Sequence, residues 1–85
     1  MTIKDASVQR IKNLCAELGI STTELARAAG LTPSTVYSLL EPERREVQLS
    51  TVKKLVDGFG LYKSGFTVAD FFSDSLFNSL EQEIK

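Results

Sequence analysis

The chain has 85 residues, of which 42% are apolar and 25% charged, and its formal net charge is −1. These values are those of one small globular domain with a modest hydrophobic core. The chain has no histidine and one cysteine, Cys15, which excludes histidine-based catalysis, an intrachain disulfide and zinc sites built on these residues. No apolar run is long enough to span a membrane and residues 1–10 hold no apolar signal core, so a cytoplasmic location is expected.

The charges are distributed unevenly along the chain. Residues 1–63 contain nine Lys or Arg and seven Asp or Glu, a net of +2, whereas residues 64–85 contain one and four, a net of −3. A weakly basic body is therefore followed by an acidic tail. Only the body is expected to face the phosphate groups of a nucleic acid.

The first predicted element is a helix over about residues 6–18. Apolar residues recur there at three- and four-residue steps, at Val8, Ile11, Leu14 and Leu18. Gly19 follows as a helix stop. Cys15 lies beside the apolar stripe and is interpreted as a small core residue rather than a redox switch.

Helix 2 is predicted to start near Thr22 and to run to about Ala29. Ser21 and Glu24 have the spacing of a capping box, in which each side chain binds the other residue's backbone N–H. Gly30 then permits a tight turn, because glycine adopts positive φ without a steric penalty.

Helix 3 is predicted to follow immediately, with Thr32 as its N-cap and Pro33 at its first position. Its inward side chains are Val36, Leu39 and Leu40. The helix should end near Glu41, because a residue that precedes a proline is disfavoured in the helical region.

Two further helices are predicted in the second half of the chain. Ser50 is the expected N-cap of helix 4, which Gly58 and Gly60 should end. Thr67 and Asp70 form another capping pair, so helix 5 should start near residue 68. The apolar stripe then continues as a longer helix 5 or a sixth helix, through Phe72, Leu76, Phe77, Leu80 and Ile84.

The spacing across helices 2 and 3 is that of a DNA-binding helix-turn-helix. Ala26 is small where the two helices cross, and Gly30 permits the turn between them. Leu31 fills the gap between the helices, while Val36 and Leu39 anchor helix 3 on the core.

Residues 7–72 resemble the Cro/CI-type (XRE, lambda-repressor-like) helix-turn-helix proteins of bacteria and phages. The resemblance rests on the segments VQRIKNLCAELGIS, ELARAAGLTPSTVYSLL, LSTVKKLVDGFG and ADFF. It implies an all-α, five-helix lambda-repressor-like bundle with its helix-turn-helix at helices 2 and 3. The third helix would enter the major groove, usually as part of a dimer. Residues 1–72 would form the DNA-binding domain and residues 73–85 an amphipathic C-terminal extension.

The expected DNA-binding residues fall into three groups. Base edges would be met by the outward side of helix 3, through Pro33, Ser34, Thr35 and Ser38. Tyr37 on the same side could contact a thymine methyl group or bind a phosphate. Thr32 acts mainly as a cap, and phosphate contact is secondary. At the start of helix 2, phosphates would be bound by the hydroxyls and free N–H groups of Thr22 and Thr23. The expected phosphate clamps are Arg44, Arg45 and Lys53, although both arginines have nearby glutamates as alternative partners.

These residues favour a sequence-preferring regulator of transcription, a repressor of prokaryotic or phage type that binds double-stranded DNA. A homodimer is expected through the stripe Phe72, Leu76, Phe77, Leu80 and Ile84. The alternative is an interaction module that keeps the fold but has little affinity for DNA. No enzymatic activity, cofactor, metal or small-molecule ligand is expected, because no nucleophile–base pair or ligand set is visible.

Overall fold

A computed structural model describes residues 2–41 and 48–79. These residues form five α-helices and one 3₁₀ helix, without a strand, which confirms the all-α fold class. In chain order the elements are α1 (Ile3–Leu18), α2 (Thr22–Ala29), α3 (Pro33–Leu39), α4 (Leu49–Gly60), α5 (Val68–Phe72) and the 3₁₀ helix (Ser75–Ser79). No helix of the described ranges is long and apolar enough to cross a membrane.

Helix α1 begins three residues earlier than its apolar stripe predicted. The Thr2 hydroxyl accepts from the Asp5 N–H at 3.1 Å, and the Asp5 carboxylate accepts from the Thr2 N–H at 3.4 Å, which together cap the helix. The apolar pattern did not predict this first turn, because Ile3 is exposed and the buried residue beside it is the charged Lys4.

The predicted caps around α2 and α3 are confirmed. The Ser21 hydroxyl accepts from the Glu24 N–H at 3.0 Å, and the Glu24 carboxylate accepts from the Ser21 N–H at 2.8 Å. Gly30 ends α2 at φ 74°, and Thr32 caps α3 with Pro33 in its first turn. Local hydrogen bonds thus set both ends of the turn between α2 and α3.

The predicted start of α4 is corrected, and its predicted end is confirmed for Gly60 but not for Gly58. Gln48, not Ser50, occupies the N-cap position, without a side-chain cap hydrogen bond. Gly58 does not end the helix, which continues to Gly60. A Cβ atom at Gly58 would lie 3.0 Å from the Ala29 backbone nitrogen, so this glycine permits the close approach of α4 to α2.

Of the two predicted continuations after helix 5, the structure has a further helix, which is of the 3₁₀ type, and not a longer helix 5. Thr67 and Asp70 cap α5 as expected, but the helix ends at Phe72 and the chain turns into the 3₁₀ helix. The turn is held by Asp74, whose carboxylate accepts from the Leu76 N–H at 2.9 Å. The 3₁₀ helix packs against α1.

One consequence of this turn is that the phenylalanines of the predicted dimer stripe pack on the protein's own core. The Phe72 and Phe77 rings lie 5.0 Å apart between centroids, and Phe77 lies 5.8 Å from the buried Phe71. Both rings remain partly exposed. Leu80 and Ile84 lie outside the described residues, and the division of the chain at residue 72 stays a prediction.

A single core joins all five helices. Its buried members come from every α-helix: Ile11, Leu14, Leu25, Ala26, Val36, Leu39, Val52, Leu55, Val56, Phe59 and Phe71. Cys15 is partly buried against this core, and its burial raises the pKa of the thiol. The thiol therefore remains protonated at neutral pH, in keeping with its interpretation as a small apolar residue.

Arg10 on α1 is the polar link to the end of α5. Its Nε donates to the Phe71 carbonyl at 3.0 Å, and its two terminal nitrogens donate to the Asp70 carbonyl at 3.0 Å and to the Asp74 carboxylate at 3.1 Å. The guanidinium also lies 5.9 Å from the centroid of the Phe66 ring. One side chain thus satisfies two helix-terminal carbonyls and fixes the turn that follows.

Ser7→Ala is expected to stabilise the protein by about 1 kcal/mol. Ser7 is fully buried in α1, and its hydroxyl has no hydrogen-bond partner among the described residues. Alanine removes this unsatisfied group and has the higher helix propensity. Thermal unfolding followed by circular dichroism measures the change. Ser73→Ala is the control, because that hydroxyl donates to the Asp70 carbonyl and its loss brings no gain; a lower melting temperature for Ser7→Ala contradicts the prediction.

Candidate nucleic-acid interface

The helix-turn-helix is formed by α2, a three-residue turn over residues 30–32 and α3. The residues predicted to pack inside it are buried or partly buried. Ala26 is fully buried, Leu31 is partly buried on the core, and the Leu31 N–H donates to the Ala26 carbonyl at 2.9 Å. This hydrogen bond fixes the angle at which the chain leaves α2 and enters α3.

Helix α3 has one buried and one exposed side. Val36 and Leu39 are buried, which anchors the helix on the core as predicted. The exposed residues are those predicted to face DNA: Pro33, Ser34, Thr35 and Tyr37, with Ser38 half-buried beside them. The outer face of α3 is therefore open to a large ligand.

The three hydroxyls at the start of α3 form a local network. Thr32 Oγ1 accepts from the Thr35 N–H at 3.3 Å and lies 2.8 Å from the Thr35 hydroxyl and 3.3 Å from that of Ser34. Thr32 therefore caps the helix, as its position predicted. Its hydroxyl and that of Thr35 already have partners, which leaves them less available to a base.

The start of α2 carries two of the predicted phosphate contacts. Thr22 and Thr23 are half-buried there, and their N–H groups are among those that a helix leaves without an internal acceptor. The Glu24 carboxylate lies in the same turn, and hydrogen bonds from the backbone and side chain of Ser21 lower its pKa. Glu24 is thus ionised at neutral pH, and its negative charge opposes an approaching phosphate.

Lys53 lies on the exposed side of α4, in the first half of the helix. Its Nζ donates to the Asp57 carboxylate at 2.6 Å, and both side chains are about 60% exposed. Exposed pairs of this kind contribute only about 0–1 kcal/mol, so Lys53 can exchange its carboxylate for a phosphate at little cost. Lys54 beside it is also exposed. The predicted clamps Arg44 and Arg45 lie outside the described residues.

A residue that the sequence did not indicate fixes the far end of α3. Lys4 of α1 is buried, and its Nζ donates to the Glu41 carbonyl at 2.8 Å, just beyond the helix. A cation is favourable at the carbonyl end of a helix, where backbone acceptors lack partners. Sequence position gave no signal, because the two residues are 37 apart in the chain.

A compact helical bundle whose second and third helices are joined by a tight turn, with the outer face of the third helix exposed, is a helix-turn-helix domain of the DNA-binding class. A family model described as the Cro/C1-type HTH DNA-binding domain matches residues 10–61. The chain belongs to this family, which confirms the resemblance. No curated protein and no solved structure matched the chain significantly.

Proposed function

We propose that this protein is a sequence-preferring regulator of transcription, a repressor that binds double-stranded DNA in the cytoplasm of a bacterial or phage-infected cell. The observation that carries the proposal is the exposed outer face of α3 within a helix-turn-helix of this family. In such domains the second helix of the motif lies in the major groove, with its N-terminal residues against base edges. The proposal includes no catalytic role.

Phosphate contacts on either side of α3 would set its register on the duplex. We assign them to Thr22 and Thr23 at the start of α2 and to Lys53 on α4. Arg44 and Arg45, in the segment between α3 and α4, are included on their sequence position alone. These basic residues are needed because the chain as a whole is slightly acidic.

A homodimer is part of the proposal, since one short helix reads only a few base pairs. Two copies would place their α3 helices about 34 Å apart, one turn of the duplex, on an inverted repeat. Phe72 and Phe77 are partly buried on their own core. Their exposed parts, with Leu76, Leu80 and Ile84, remain the surface that we propose for the contact.

The alternative, an interaction module with little affinity for DNA, would be favoured by an α3 covered by the C-terminal tail or a partner. The observed exposure of Ser34, Thr35 and Tyr37 favours DNA instead.

The test is selection from random genomic duplexes at low and moderate salt, followed by sequencing of the bound fraction and by titration of the enriched site. We expect an inverted repeat bound by two copies, as counted by sedimentation. Binding that never exceeds the non-specific level of about 10⁻⁴–10⁻⁶ M would contradict the proposal.

Lys53→Ala is expected to reduce the slope of log K against log salt by about 0.9 on the enriched site, because one phosphate contact is lost. Lys63→Ala is the charge-matched control: Lys63 lies after α4, where it pairs with Glu17 of α1 at 2.9 Å. The slope of log K against log salt for Lys63→Ala should equal that of the unmodified protein. A Lys53→Ala slope equal to that of the control removes Lys53 from the interface.

A further inference from the structure

The outer face of α3 has a restricted chemistry. Its outward residues, including the position just beyond its C-terminus, are Pro33, Ser34, Thr35, Tyr37, Ser38 and Glu41. This set contains no Arg, Lys, Asn or Gln. It does contain one large side chain with an apolar body, Tyr37, which is 52% exposed.

The bases differ in the side chains that read them in the major groove. Arg and Lys bind guanine, Asn and Gln bind adenine, and Asp and Glu accept from cytosine, whereas the 5-methyl group of thymine is read by apolar contact. The outer face of α3 therefore lacks the side chains that read guanine and those that read adenine. Glu41 is the one acidic residue in the set. Its position beyond the end of α3 places it away from the N-terminal residues that meet base edges.

Tyr37 is well placed to make an apolar contact. It lies in the middle of α3, directly after the buried Val36 that anchors the helix, so its backbone is fixed. No hydrogen bond or ring contact within the described residues holds its side chain against the protein. Ser34, one turn before it on the same face, is small, so the ring stands above this neighbour, and Glu41 lies one turn after it, beyond the end of the helix.

We propose that Tyr37 reads the 5-methyl group of thymine, and that thymine opposite this ring is the principal base preference within each half-site. The proposal rests on the proposed function, since it presumes that α3 lies in the major groove. The serine hydroxyls bind either kind of base and add little discrimination. The preferred sites of this protein are therefore defined by methyl groups more than by purine hydrogen bonds.

The experiment replaces each thymine of the selected site in turn by deoxyuridine, which lacks only the 5-methyl group. We expect one thymine per half-site at which the change weakens binding about four-fold, the effect of withdrawing one methyl-sized group from an apolar contact. Tyr37→Ala should weaken binding to the thymine site by at least the same factor and should show no further loss on the deoxyuridine site. Tyr37→Phe, which keeps the ring, should bind both sites as the unmodified protein does. Ser34→Ala is the control on the same face and should keep the four-fold difference.

The outcomes separate this inference from the proposed function. Specific binding that is equally tight with deoxyuridine at every position overturns the thymine reading and leaves the regulator intact. The reading is also overturned if Tyr37→Ala keeps the deoxyuridine penalty, or if Tyr37→Phe loses as much affinity as Tyr37→Ala, since the hydroxyl would then make the contact. Failure to enrich any site overturns both proposals. Circular dichroism of each variant verifies that the fold is retained, as expected for a residue that is half exposed.

Discussion

Arg10→Ala is expected to lower the free energy of unfolding by about 2–4 kcal/mol, because hydrogen bonds to a charged group each contribute about 1.5–3 kcal/mol and their loss is only partly offset by water. The Arg10 side chain is 13% exposed, and its removal leaves the Asp70 and Phe71 carbonyls and the Asp74 carboxylate without this donor. A domain of this size has a total stability of about 4–13 kcal/mol. The loss is therefore a large part of it.

Denaturant unfolding followed by circular dichroism measures this loss. Arg10→Lys keeps the charge but has no planar set of donors, so we expect it to recover less than half of the stability. Lys12→Ala is the matched control, since it removes one positive charge from an exposed position of the same helix. Equal stabilities for Arg10→Ala and Lys12→Ala contradict the structural role given to Arg10.

The effect of Arg10→Ala should also be localised. The three acceptors lie at the end of α5 and in the turn before the 3₁₀ helix, so amide exchange should accelerate most over residues 68–79. Helix α3 has a separate tether, the Lys4 hydrogen bond to the Glu41 carbonyl. We therefore expect the variant, under conditions where it is folded, to keep the outer face of α3 intact.

The features that the sequence predicted correctly depend on residues close together in the chain. Ser21 and Glu24, like Thr67 and Asp70, are three apart, and each pair forms its capping hydrogen bonds within a single turn. Gly30 at positive φ is equally local. Such interactions are formed by almost any helix with these residues at its start, so spacing alone identifies them.

Other features depend on which distant elements meet, and local patterns contain no such information. Arg10 reaches a carbonyl 61 residues away. The sequence predicted that Gly58 ends α4, because glycine is common at helix ends. Gly58 instead lies inside α4, where the helix closely approaches α2. Ser50 is a favourable cap residue by propensity, but the helix has already begun one residue earlier, at Leu49.

The candidate interface also contains predicted and unpredicted features, although here both are local in the chain. Helical periodicity was sufficient to place Ser34 and Tyr37 on the outer side of α3, because Val36 and Leu39 had to face the core. It gave no indication that the Thr32 and Thr35 hydroxyls bind each other at 2.8 Å. The outward positions were therefore predictable, whereas the groups that remain available to a base depended on the structure.

Gly58→Ala and Gly60→Ala are expected to change stability in opposite directions, although both replace a glycine of α4 by the best helix former. At Gly60, the last residue of α4, nothing lies within 4 Å of the added Cβ, so a gain in helix propensity of at most about 1 kcal/mol is unopposed. At Gly58 the Cβ meets the Ala29 nitrogen at 3.0 Å and its Cα at 3.1 Å, both backbone atoms of α2 that no rotamer change can move. Overpacking of this kind costs about 1–3 kcal/mol, and because the opposing atoms are backbone we expect a cost in the upper part of this range, which exceeds the propensity gain.

Gly58→Val extends the overlap by two further carbons, and we expect a loss of about 3 kcal/mol or more relative to Gly60→Ala. Because Ala29 is the last residue of α2, α4 can accommodate the added carbons only by moving away from the helix-turn-helix. Denaturant unfolding of the three variants gives the order of stability, and titration of the selected DNA site gives the effect on binding. If Gly58→Ala is as stable as Gly60→Ala, the approach of α4 to α2 is looser than 3.0 Å and Gly58 is not required for packing.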